Sequence, residues 1–178
     1  ENVRLRELMN SGERVNDTVL VAEVIAVASD PNRHQLMVDK GSRDGAFLGQ
    51  PVIDANGLLG QITEVGILQS RVLLITDSAH ALPVRVSRNG LRAIAEGTGL
   101  IDELALTHVA ATTDIQVGDL LVSSGLGGRF PSGYPVGEVV EVSIDPGKPF
   151  AEVRARPMAK LDRSRNVLLV FSEQKIEE

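Results

Sequence analysis

An all-β chain is predicted, with two small six-stranded β-barrel-like domains preceded by the end of a coiled-coil helix. Three observations predict it. Hydrophobic residues fill 43% of the 178 positions but aromatics only 3%, so the core must be built from Val, Leu, Ile and Ala. From Val19 onward the apolar residues fall in short runs broken by Gly, Asn, Asp and Pro, with no helix-like stretch between them, which argues against a parallel βαβ fold. One order of motifs also occurs twice, and that makes two barrels a better fit than one sandwich.

Residues 1–9 carry Leu5, Leu8 and Met9 at i, i+3, i+4 spacing, and Gly12 is a natural helix stop. A helix this short does not stand alone in water. It reads either as the tail of a dimerising coiled coil, with Leu5, Leu8 and Met9 as self-association residues, or as a helix packed on its own domain. Because the chain opens at Glu1 in mid-pattern, a longer N-terminal segment able to carry a membrane anchor is expected ahead of it.

Strands are predicted at 19–27, 35–40, 51–54, 58–65, 71–75, 82–86, 92–96, 104–110, 120–123, 136–142, 152–157 and 166–171. Asn56-Gly57 and Asn89-Gly90 are the strongest hairpin signals, as type I′ turns need positive φ at both central residues, and Asp44-Gly45 is a further turn candidate.

The repeat aligns Pro51-Val52-Ile53 and the run 57–65 with Leu120-Leu121-Val122 and the run 134–142. Ser70-Arg71-Val72-Leu73-Leu74-Ile75 resembles the run 164–170. The domains expected are 1–12 (helix end), 15–80 (first barrel), 81–171 (second barrel) and 172–178 (charged, mobile tail). Whether the strand at 166–171 completes the first barrel is left open.

Composition excludes several classes. Without cysteine there are no disulfides and no cysteine zinc sites. A formal net charge of -6, with one Tyr and no Trp, argues against nucleic acid as a partner, because phosphate-backbone affinity comes from Lys and Arg. No apolar run reaches the roughly 18 residues needed to span a bilayer.

Chemistry-bearing residues are few. His34, His80 and His108 lie far apart, none with a second ligand at metal spacing, and solvated or capping roles are expected for His34 and His80. Thr76-Asp77-Ser78-Ala79-His80 puts triad residue types side by side, but triad partners come from separate elements, so it reads as a polar turn. Gly125-Leu126-Gly127-Gly128-Arg129 lacks the Lys-Ser/Thr of a P-loop. In that Gly/Pro-rich connection Leu126, Phe130 and Tyr134 are candidate partner anchors if exposed, or plugs of a barrel end if folded back. Arg154, Arg156, Lys160, Arg163 and Arg165 form a basic cluster. Alternation with Val153 and Ala155 makes it the solvent face of a strand, the other reading being a patch for an anionic partner.

Taken in order, the strings 38–45, Gly57-Leu58-Leu59-Gly60-Gln61-Ile62, 70–77, 118–128 and 130–137 resemble the successive motifs of MreC, the rod-shape-determining family, across residues 15–171. The resemblance implies a single-pass protein of the bacterial inner membrane, with a coiled coil and two barrels on the periplasmic side. It implies a non-enzymatic scaffold of cell-wall elongation, with no catalytic residues and no cofactor. Its expected partners are itself, as dimer or filament, the elongation-specific class B penicillin-binding protein, and other rod-complex membrane proteins. The competing class is a periplasmic ligand-binding or hydrolytic barrel.

Overall fold

Along a pleated strand successive side chains point to opposite faces. That alternation is plain in β2 (Gln35–Val38), β5 (Ser70–Leu74) and β6 (Ala81–Val86), where every second residue is buried. The computed structural model describes residues 18–28, 33–107, 109–126, 130–161 and 165–171. The expected helix end at 1–12, with Leu5, Leu8 and Met9, and the expected tail at 172–178 lie outside these residues, as do His108 and Arg163.

The remaining strands are β1 (Thr18–Val27), β3 (Pro51–Ile53), β4 (Leu58–Val65), β7 (Arg92–Gly97), β8 (Leu104–Thr107), β9 (Leu120–Ser123), β10 (Pro135–Ser143), β11 (Glu152–Pro157) and β12 (Asn166–Phe171). All pairings are antiparallel, and they close two six-stranded barrels, β1-β12-β3-β4-β5-β2 and β10-β11-β8-β7-β6-β9. The strand left unassigned by sequence, β12, seals barrel 1. Leu169 lies opposite Leu20 of β1 on one side and Val52 of β3 on the other.

Closing so few strands needs sharp bends, and bulges supply them. Register shifts occur in β1 between Val24 and Ala26, in β4 between Ile62 and Glu64, and in β10 between Val139 and Glu141. The interiors are aliphatic. Ala22, Leu36, Val38, Val52, Ile62, Val72 and Leu169 are buried in barrel 1, and Leu82, Val84, Ala95, Leu104, Leu121, Val153 and Ala155 in barrel 2. These residues belong to one continuous core cluster running through both barrels.

Both Asn-Gly pairs lie in strand connections, but neither makes the expected two-residue turn. Gly57 lacks positive φ. The Asp54 carboxylate organises that turn instead, its Oδ1 accepting the N–H groups of Asn56 and Gly57 at 2.7 and 3.0 Å. Asn89-Gly90 sits in a longer loop, in which the Val86 N–H donates to Leu91 C=O and the Gly90 N–H to Val86 C=O, with Gly90 at φ 78°. Local sequence marks a reversal here, and the strand register around it sets the loop length.

Candidate functional site

The Gly/Pro-rich connection between β9 and β10 folds inward. Ser123 is fully buried, and its hydroxyl donates to Pro131 C=O at 2.6 Å while accepting the Tyr134 N–H at 3.0 Å. Backbone bonds from Ser123 N–H to Tyr134 C=O and from Gly133 N–H to Ser123 C=O, both 2.8 Å, hold the same ends together. Phe130 is left 3% exposed and Tyr134 1%. The Phe130 ring meets the His80 ring edge-on at 5.9 Å.

Exposed anchor roles for Phe130 and Tyr134 are thereby corrected: both side chains are core. The physical reason is the paucity of large groups elsewhere, since two rings fill volume that Val and Ala cannot. Leu126 differs, being 52% exposed beside Pro83, Ala93 and Ile94. Residues 127–129 lie outside the described residues.

His34 and His80 are buried rather than solvated, which corrects a second expectation. Both stand where the barrels meet. His34 Nδ1 is bonded to Thr76 Oγ1 at 2.8 Å, and its backbone N–H donates to Asp77 Oδ2 at 2.9 Å. Asp77 Oδ1 accepts the Ala79 N–H at 2.8 Å, so the pentapeptide 76–80 is the polar turn expected. His80 Nε2 lies 3.2 Å from Gln61 Oε1. On the second crossing between the barrels, Asp54 Oδ2 accepts the Lys160 N–H at 2.8 Å. A buried carboxylate needs such donors, and these two have them.

Among the described residues no group of three His, Cys, Asp or Glu is placed to hold a metal ion. On the far side of barrel 2, Arg88 clamps two loops, donating to Asp119 at 2.8 and 2.9 Å and to Asp114 at 3.2 Å. Its hydrogen bonds hold both carboxyls below their ordinary range and raise the guanidinium further. The outward face of β11 carries Arg154 and Arg156, as the alternation predicts. Arg154 pairs with Glu103, and Arg156 with Glu138 at 3.1 Å, so these two members of the cluster are met by carboxylates of their own chain.

One stretch of exposed apolar surface lies on barrel 1. A groove of about 440 Å³ is lined by the apolar Met37, Leu48 and Val65, by Gly66, and by the polar Thr63, Glu64, Gln69, Ser70 and Arg71. A smaller hollow beside Ala26 and Val27 shares Met37 and Arg71 with it. Leu48 is 66% exposed and Ile67, in the β4–β5 turn, 71%; Leu68 is exposed next to it. Backbone bonds from Ser42 N–H to Gly66 C=O and from Arg43 N–H to Ile67 C=O fix the turn against the 3₁₀ segment Ser42–Asp44. Arg71, in the groove lining, donates to Glu64 at 3.0 Å and to Gln35 at 3.2 Å. The sequence reading passes over these residues, although an aliphatic pair in the turn Gly66-Ile67-Leu68-Gln69, where polar residues are usual, is a signal for them.

Two closed barrels with filled aliphatic interiors, their buried carboxylates bonded internally and a groove outside, define a tandem-β-barrel protein. The family model described as rod shape-determining protein MreC, barrel core, matches residues 24–171, and the chain belongs to that family. The cell shape-determining protein MreC of Escherichia coli (strain K12) is 50% identical over 171 residues, which are 96% of this chain and 47% of that protein. The chain thus spans about half the length of the curated relatives it matches. The crystal structure of MreC from Pseudomonas aeruginosa is similar at a TM-score of 0.85 and 61% identity, over 87% of this chain and 100% of that one. MreC from Helicobacter pylori, solved in a complex with the penicillin-binding protein PBP2, shares the fold at a TM-score of 0.70 and 19% identity, over 89% of this chain and 99% of that one.

Proposed function

We propose that this chain is the periplasmic barrel region of a non-enzymatic scaffold of cell-wall elongation, anchored in the inner membrane by a segment ahead of it. Its work is to bind and position the elongation-specific class B penicillin-binding protein, to associate with itself, and to meet other rod-complex membrane proteins. Family membership supports the cell-shape role, and the Helicobacter pylori relative in its PBP2 complex supports the partner. The observation that carries the reading for this chain is on barrel 1, where Leu48 lines the groove and Ile67 and Leu68, in the turn between its lining residues Gly66 and Gln69, leave apolar surface in water on a rigid frame. A few such side chains, desolvated together, supply most of the binding energy of a typical interface.

The test is a titration of this chain against the purified extracytoplasmic region of the elongation penicillin-binding protein, beside light scattering of the chain alone. Ile67→Asp and Leu48→Asp should each weaken binding by about tenfold or more, because a carboxylate is left against apolar surface, while the melting temperature stays unchanged. Equal affinity of wild type and both variants would move the contact off barrel 1.

A further inference from the structure

We propose that the chain is two copies of one six-strand unit, β1–β6 and β7–β12, that have traded their sixth strands. Barrel 2 then closes on its own strands, and barrel 1 closes last, on a strand handed over from beyond barrel 2. Reading round barrel 1 from β3 the order is β3-β4-β5-β2-β1-β12, and round barrel 2 from β9 it is β9-β10-β11-β8-β7-β6. Each strand of the first stands six strands before its counterpart, except the last, where β12 and β6 have changed places.

The equivalence extends to single residues. In β4 the bulge falls between Ile62 and Glu64 against β5, and in β10 between Val139 and Glu141 against β11, the same places in the repeat. Gly49 N–H donates to Ile62 C=O and Ile62 N–H to Gln50 C=O. Likewise Gly118 N–H donates to Val139 C=O and Val139 N–H to Asp119 C=O. A Cβ on Gly60 would lie 2.2 Å from Leu73 C=O, and one on Gly137 2.8 Å from Arg156 C=O, so both glycines permit the same close approach. The traded strands also share a register. Leu168 and Leu169 of β12 face Ile53 and Val52, as Arg85 and Val86 of β6 face Val122 and Leu121.

The trade makes the two barrels unequal. β6 to β11 run consecutively, so barrel 2 needs nothing from outside itself. Barrel 1 must bring β12 back across residues 75–165. While barrel 2 is folded, that span is already short, because Gly97 N–H donates to His80 C=O, Gly99 N–H to Thr76 C=O and Lys160 N–H to Asp54 at the two crossings. With barrel 2 unfolded, the same span is a loose loop of roughly 90 residues, whose closure scales as the 3/2 power of length and is about 10³-fold less favourable. Barrel 1 therefore opens alone, whereas barrel 2 opens only with the whole molecule.

Residue-resolved amide hydrogen exchange on the whole chain under native conditions tests this. Leu169→Ala, at a fully buried β12 position, should speed exchange in β1–β5 and β12 by roughly 30-fold or more and in β6–β11 by the same factor, because barrel 2 opens only together with barrel 1. Leu82→Ala, equally buried in β6, should speed exchange in β6–β11 and leave β1–β5 and β12 unchanged, because barrel 2 stays folded while barrel 1 opens and the change costs both of those forms alike. If Leu169→Ala does not fold, Leu169→Val gives the same pattern at smaller size. Deprotection of barrel 1 alone by the Leu169 variants, or of both barrels equally by Leu82→Ala, would overturn the proposal.

Discussion

Replacing Phe130 or Tyr134 by Ala separates the two roles open to these rings. Phe130 is 3% exposed and Tyr134 1%, and neither loop end has slack, because Ser123 ties Pro131, Gly133 and Tyr134 to β9. Large-to-small changes at aromatic core sites cost about 3–5 kcal/mol, the cavity adding to the lost transfer energy when the surroundings cannot collapse. For Phe130 the edge contact with His80 at 5.9 Å adds about 0.5–1.5 kcal/mol. In a chain of this length each kcal/mol moves the melting point by roughly 2–4 °C, so each variant should melt about 6–20 °C below wild type. Thermal unfolding followed by circular dichroism is the assay, with Phe130→Leu as a control that keeps most of the volume and loses about half as much. A variant that melts with wild type but no longer binds the penicillin-binding protein would refute the burial argument and restore these rings as exposed anchors.

Asp54→Ala strands the N–H groups of Asn56, Gly57 and Lys160, each worth about 1–3 kcal/mol when left unsatisfied, and a loss of about 2–5 kcal/mol is expected in urea titration. Gly57→Ala places a Cβ 2.7 Å from Pro135 C=O and 3.2 Å from Met158 Cβ, where the barrels touch, so chemical denaturation should show a loss of about 1–3 kcal/mol although φ at this position is ordinary. The Arg88 clamp gives a pH signature. Asp114 and Asp119 have lowered folded-state values, so their stabilisation is complete above the unfolded carboxyl value of about 3.9 and is lost as pH falls through the lower folded values. The melting-point gap between wild type and Arg88→Ala should stay constant from about pH 7 to 5 and close below about pH 4; a gap that widens in acid would contradict the clamp.

Local chemistry carried much of this protein in readable form. The strands at 58–65, 120–123, 152–157 and 166–171 stand where alternation and Gly/Asn/Asp punctuation place them, since a half-buried strand writes its period of two directly into the chain. The strand expected at 104–110 stops at Thr107, and Ala110 makes only an isolated bridge with Phe150, because apolar residues past a strand end look the same as those within it. The charged face of β11 was also legible, as it follows from the same alternation. The likeness of 70–75 to 164–170 misled, because β5 has β11 as its counterpart round the barrels while β12 answers to β6.

What sequence alone determined, then, is what depends on neighbours along the chain: strand positions, reversals, an aliphatic core, a doubled order of motifs and membership of a shape-determining family. Tertiary structure decided what depends on residues far apart. Gln50 Nε2 donates to Val170 C=O across 120 positions, and that pairing assigns β12 to barrel 1. Phe130 and Tyr134 are buried because Ser123 and His80 wait for them, and Leu48 and Ile67 are exposed because no other described residue covers them. A side chain's burial is set by what arrives over it, and the chain's own periodicity holds no record of that.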